Sequence, residues 1–296
     1  MFVGYLFALV SGLLWGIATF LYSSLNNSFF LSHPFFILII IFSIDFLAFL
    51  FSGAYIAFNA NKIPFNKRNF IGIILSCFSG ILSSISMIFY LLAIQRMDAV
   101  YVAPISSMYP IVGAILSYFL LEEKLNHYAK FGFLFTVLCV IGLGFSPSSA
   151  DFSWLGFLFS LFTVIGWGSE ITISGYAMKY LDFYSVYFFR QLSSSLLYFI
   201  TILFVLELNY DDVNNFMSNN GVFVLGIIFS SIISYFLYYR SVYYINPIKA
   251  MLLNTTYGIW VVLLSWLYAN SEFSIVNILL SIGIIIGCTL VLKETK

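Results

Sequence analysis

The sequence predicts an all-α integral membrane protein, with ten transmembrane helices in two inverted five-helix repeats. Three observations carry this. Of 296 residues, 62% are hydrophobic and only 8% charged, against roughly 25% charged in soluble domains. The apolar runs are about 20 residues long and unbroken, which suits spanning helices and not the ~10-residue alternating strands of a barrel. Finally, Gly4 to Gly16 (GYLFALVSGLLWG) returns 152 residues later as Gly156 to Gly168 (GFLFSLFTVIGWG), so one unit is written twice.

Taken in order, spans are expected at 3–23, 34–58, 69–95, 98–121, 128–146, 154–177, 183–207, 220–243, 246–269 and 273–292. The first run lacks a small-residue cleavage site and matches an internal segment, so it reads as a span and not a signal peptide. Glu207 to Gly221, rich in Asn and Asp, reads as the longest polar loop. With the N-terminus in the cytoplasm, the inside segments hold Lys62, Lys67, Arg68, Lys124, Lys130, Lys179, Arg240, Lys249, Lys293 and Lys296, while the outside loops hold only Arg96. That bias places both termini on the cytoplasmic side of the membrane.

The repeat continues beyond the first helix. Residues 90–118 lie over 238–266 at an offset of 148, matching Tyr90 with Tyr238, Ser86 with Ser234, Tyr109 with Tyr257 and Ser117 with Ser265. The units are 1–148 and 149–296, together one transport unit. Five spans is an odd number, so the second copy is expected upside down, as in many secondary transporters. Two full halves make one pathway, so no oligomer is required. Pro104, Pro110 and Pro247, in or beside the fourth and ninth spans, read either as hinges or as static kinks.

Intramembrane charge marks the candidate site. A charge near mid-membrane costs roughly 3 kcal/mol or more, so it faces a cavity or a partner. Glu170 sits mid-span, with Trp167 and Ser174 on the same helical face. Asp45 and Arg190 lie on the second and seventh spans. They read as a buried pair bridging the halves, as a proton-carrying Asp45, or as an Arg190 snorkelling to the headgroups. Polar stripes run along other spans: Ser11, Trp15, Thr19 and Tyr22; Ser79, Ser83, Ser86 and Tyr90; Ser106, Tyr109 and Gly113; Ser231, Ser234, Tyr235, Tyr238 and Tyr239; Asn254, Tyr257 and Trp260. Stripes on several helices point to a shared central cavity. Its chemistry is aromatic with few charges, and this suits a quaternary ammonium ion held by ring faces with a carboxylate as counter-charge.

No Ser-His-Asp set, phosphate loop, nucleotide domain or metal spacing is visible, so an enzyme, a cofactor, a metal and an ATP-driven pump are not expected. Cys77, Cys139 and Cys288 sit inside apolar runs as small core residues. Net charge is zero without a basic tract, which gives nucleic-acid binding no support.

Ten spans in two halves, an early Trp-Gly in each half and Tyr109-Pro110 resemble the drug/metabolite transporter superfamily. More narrowly, 166–178 (GWGSEITISGYAM), 189–199 (FRQLSSSLLYF) and 233–264 are similar to the bacterial LicB-type choline permeases. The resemblance implies choline import, with Trp15, Trp167, Glu170, Tyr235, Tyr239 and Tyr257 around the ligand. Tyr90 and Asn254 join them from the stripes. The expected function is secondary import of a choline-like cation through an alternating-access aromatic cavity. Coupling to H+ is expected through Glu170 or Asp45, which with Arg190 form the charge set. Rival readings are an exporter of amino acids or cationic metabolites, or a membrane receptor without flux. The expected partners are thus the cation, H+ and the lipid bilayer, which the resemblance implies is a bacterial inner membrane.

Overall fold

The architecture comes from a computed structural model describing residues 2–25, 35–58, 67–122, 126–144, 153–205, 210–268 and 275–291. Span ends at 34, 145–146, 206–207, 269, 273–274 and 292, together with His33, Lys62, Lys124, Glu207, Lys293 and Lys296, lie outside the described residues. The chain forms α1 (Phe2–Ser24), α2 (Phe35–Phe58), α3 (Lys67–Arg96), α4 (Ala99–Ser106), α5 (Tyr109–Leu120), α6 (His127–Gly144), α7 (Trp154–Ala177), α8 (Phe183–Val205), α9 (Tyr210–Ile245), α10 (Pro247–Asn254), α11 (Tyr257–Tyr268) and α12 (Ile275–Val291). Among the described residues, eight spans are long and apolar enough to cross a membrane, counting α4–α5 and α10–α11 as one span each.

Local chemistry sets the helix starts. Asp98 caps α4 by accepting from the Val100 amide at 2.9 Å. Asn246, with φ of 75°, does the same for α10 through the Lys249 amide at 3.0 Å, and Pro247 follows at the first helical position. An Asn side chain and a Pro ring there satisfy or remove donors that have no partner within the helix. Asp182 caps α8, taking the Ser185 amide at 3.1 Å.

Two expectations are corrected. The spans at 98–121 and 246–269 are not continuous: each breaks, at Ser107–Met108 and at Thr255–Thr256. Hydroxyls at the breaks bond back to the previous turn, Ser107 to the Ala103 carbonyl at 2.8 Å, Thr255 to Leu252 at 2.6 Å and Thr256 to Leu253 at 2.9 Å. Such back-bonds compete with the helix ladder, and Pro110 further removes a donor from the first turn of α5. The breaks abut, with Ser107 Oγ donating to the Thr255 carbonyl at 3.4 Å. The second correction is at 207–221, which is helical from Tyr210 onward. Phe216 is buried there against the Phe36 ring, 4.7 Å between centroids, and this packing outweighs the weak helix propensity of Asn.

The halves interlock by exchanging partners. α1 packs on α9 and α7 packs on α3, the corresponding pair with the halves exchanged; α2 lies on α8 and α6 on α12. Ser11 of α1 bonds Ser234 of α9, while Thr163 of α7, its counterpart, bonds the Ser86 carbonyl of α3 at 3.2 Å. Tyr109 donates to Asn254 Oδ1 at 3.0 Å, and Tyr257 pairs with the Ser106 hydroxyl at 2.7 Å. The repeated glycine has the same logic. A Cβ on Gly16 would lie 3.1 Å from the Tyr257 carbonyl, and one on Gly168 would lie 2.5 Å from the Tyr109 carbonyl. Each Trp-Gly therefore lets one half seat its helix against the break of the other.

Candidate functional site

The site is assembled where the breaks meet the mid-points of α1, α7, α8 and α9. The Trp15 and Trp167 rings pack edge to face at 5.7 Å, and Tyr235 lies 5.3 Å from Trp15. Tyr109, opening α5 at the first break, stands edge-on to Trp167 at 6.1 Å. Its hydroxyl binds Tyr238 at 2.9 Å and Asn254, which ends α10 at the second break. Asn254 in turn donates to Ser11 at 2.8 Å. No described residue accepts from the Trp167 indole N–H, so aromatic contacts hold that ring.

These residues enclose a cavity of about 30 Å³, lined by Trp15, Tyr109, Trp167, Glu170, Ile171, Ser234, Tyr235, Tyr238 and Asn254. It has room for about one or two waters. A second and larger cavity, about 630 Å³, lies between α2, α8 and α9. Its walls are apolar and aromatic, with Ser52 and three tyrosines among them and no charged group.

Behind the small cavity lies a charge cluster. Arg190 is fully buried, and Asp45 and Glu170 are nearly so. Arg190 Nε donates to Glu170 Oε1 at 3.0 Å, Nη2 lies 3.0 Å from the same oxygen, and Nη1 donates to Asp45 Oδ2 at 3.3 Å. Gln191 and Ser83 also accept from the guanidinium, and Ser194 donates to Asp45. Tyr239 donates to Glu170 Oε1 at 2.8 Å. The guanidinium also stacks 4.6 Å from the Tyr235 ring centre and 5.8 Å from that of Tyr239. Two carboxylates share one guanidinium, so the cluster carries one formal negative charge in excess.

Of the residues singled out in the sequence, Trp15, Trp167, Glu170, Tyr235 and Asn254 line the small cavity. Tyr90 lies behind the tryptophans, 4.8 Å from Trp167, with its hydroxyl on Thr19 at 2.9 Å. Tyr239 braces Glu170 and reaches Ser174 at 3.0 Å. Tyr257 faces Ser106 at the break. Arg190 does not snorkel: it joins Asp45 and Glu170. The Glu170–Arg190 contact, Ile171, and the Gln191 support, itself donating to Tyr187 at 3.0 Å, escaped the sequence reading. The adjacent Arg190-Gln191 polar pair in an apolar helix was the available signal.

A helical bundle of membrane-length segments, with a polar-aromatic cavity walled by both of its halves, is the architecture of a multi-pass membrane transporter. The EamA-like transporter family matches the chain twice, at residues 2–145 and 154–293, and the chain belongs to that family. Protein LicB of Haemophilus influenzae is 33% identical over 293 residues, covering 96% of each chain. A solved crystal structure aligns with a TM-score of 0.64 and 15% identity, over 98% of this chain and 96% of that one, and shares the fold. The family points to membrane transport.

Proposed function

We propose that this protein is a secondary transporter that imports a small quaternary ammonium ion, choline being the best fit, by alternating access. One observation carries the reading: a buried carboxylate, Glu170, stands in the wall of a cavity otherwise built largely from aromatic rings. A trimethylammonium group donates no hydrogen bond, so ring faces and a fixed negative charge are what can hold it, at about 0.5–2 kcal/mol per good contact. Ser234 and Asn254 offer partners for the substrate hydroxyl. The resemblance to choline permeases supports the same substrate. The cavity must widen to admit it, which requires Trp15, Trp167 and Tyr235 to separate.

The halves 1–148 and 149–296 act as inverted repeats with both termini cytoplasmic, in a bacterial inner membrane. The exchanged contacts between halves support this, as does the lysine and arginine bias. Proton coupling rests on the excess carboxylate, Glu170 or Asp45, which can carry H+. Amino acid export fits less well, because Arg190, the group that would receive a substrate carboxylate, already faces two carboxylates, and the excess negative charge of the cluster opposes a third.

The test is radiolabelled choline uptake into proteoliposomes, with and without an inward proton gradient, comparing wild type with Glu170→Gln. Gradient-stimulated uptake that the variant loses is the expected result. Uptake unchanged in the variant would remove Glu170 from the site. Absence of choline flux from folded wild type would sink the substrate, and binding without flux would favour a receptor.

A further inference from the structure

We infer that Arg190 is a tethered stand-in for the substrate's positive charge: it occupies Glu170 and the Tyr235 face when the central cavity is closed, and so allows the unloaded transporter to reorient. The inference rests on the transport reading above and assigns a step in its cycle.

A quaternary ammonium substrate needs a carboxylate and an aromatic face. Arg190 already holds one of each. Its Nε and Nη2 sit 3.0 Å from Glu170 Oε1, and its guanidinium carbon lies 4.6 Å from the Tyr235 ring centre. Glu170 and Tyr235 also line the cavity. The two groups best suited to the substrate are therefore shared between the cavity and a built-in cation. At about 30 Å³ the cavity has no space for a trimethylammonium group while its rings stay together.

Charge balance gives the sequence of events. Asp45, Glu170 and Arg190 are the charged side chains buried among the described residues. When the rings separate and a cation enters, it takes over Glu170 and the face of Tyr235. The guanidinium then retreats onto Asp45, 3.3 Å away, where Gln191 already accepts from the same Nη1. Two carboxylates then face two cations. When the substrate leaves, Glu170 would be a buried anion without a partner, a costly state. Arg190 returns to it, and the closed intermediate forms without that penalty. Exchange of one substrate for another never passes through the unloaded closed state, so it does not need Arg190 for this purpose.

The test uses purified full-length protein in liposomes at equal alkaline pH on both sides. Wild type is compared with the double variant Arg190→Gln/Asp45→Asn, which keeps the excess charge of the cluster and so avoids an extra unpaired carboxylate, and with Arg190→Lys. Choline affinity is read from tryptophan fluorescence; net efflux and choline–choline exchange are read from labelled choline. In the double variant the expected results are binding tighter by about tenfold or more, and net efflux slowed at least about tenfold more than exchange. Arg190→Lys should restore a large part of net efflux, since a point charge suffices for a stand-in cation. Parallel loss of exchange and net efflux, or weaker binding, in the double variant would overturn the inference alone. Wild type that neither binds nor moves quaternary ammonium ions would overturn the substrate reading and this inference with it.

Discussion

The two halves of the chain place the same helix against the same neighbours and give it opposite chemistry. α1 and α7 share Ser11/Thr163, Trp15/Trp167 and Gly16/Gly168 at one offset of 152 residues, and these positions make the packing that binds the halves. One turn further, α1 has Ala18 and α7 has Glu170, both buried. Likewise Tyr109 turns its hydroxyl into the network around Asn254 and Tyr238, whereas Tyr257 closes on Ser106 outside the cavity lining. Duplicated positions hold the scaffold, and positions present in one copy hold the charge. A single cation site needs one carboxylate in its wall, and a second at Ala18 would add an unpaired buried anion.

The contrast can be broken most severely at the charge. Glu170→Gln is expected to lower choline uptake about a hundredfold or more, because the buried counter-charge is lost while shape is kept. Proteoliposome flux measures it, and near-normal uptake would mean that the asymmetry is not functional. Next come the paired glycines. Gly168→Ala should destabilise by about 1–3 kcal/mol, and somewhat more than Gly16→Ala, since its Cβ would press on the Tyr109 carbonyl at 2.5 Å, Val112 Cβ at 2.8 Å and the Gly113 amide at 3.0 Å, against Trp260 Cβ at 2.6 Å and the Tyr257 carbonyl at 3.1 Å. Thermal unfolding in one detergent decides this; equal shifts would argue that the two seats are equally tight. The paired tryptophans should behave alike: Trp15→Leu and Trp167→Leu are each expected to weaken choline binding by about 0.5–2 kcal/mol, with flux otherwise retained. A loss confined to one of them would show that the cage is one-sided. The smallest effect separates the tyrosines. Tyr109→Phe should raise the KM for choline a few-fold, whereas Tyr257→Phe should cost about 1 kcal/mol of stability with KM unchanged.

Much of this could be read from the residues. The apolar runs located the spans, because a lipid-facing helix shows its surroundings in composition. Trp15 and Trp167 were marked by their repetition, Glu170 by the cost of its depth. The breaks at Ser107–Met108 and Thr255–Thr256 were only half visible. Proline marks the first, while the second depends on threonine hydroxyls that bond back to the previous turn and on the Thr255 carbonyl that accepts from Ser107 of the other break. The helical start of α9 was hidden because Asn-rich sequence favours loops until Phe216 finds Phe36.

By itself the sequence determined the solvent, the duplication and the need for partners. Hydrophobic composition, an internal match and a buried charge are local or pairwise facts of the chain. Tertiary structure alone decided which partners met. Arg190 reaches Glu170 twenty residues away and Asp45 145 residues away, and the choice depends on how α2, α3, α7 and α8 are brought together. Periodicity specifies which face of a helix is buried, but not which face lies opposite. For three buried charges, the distances across that gap set which of them neutralise one another.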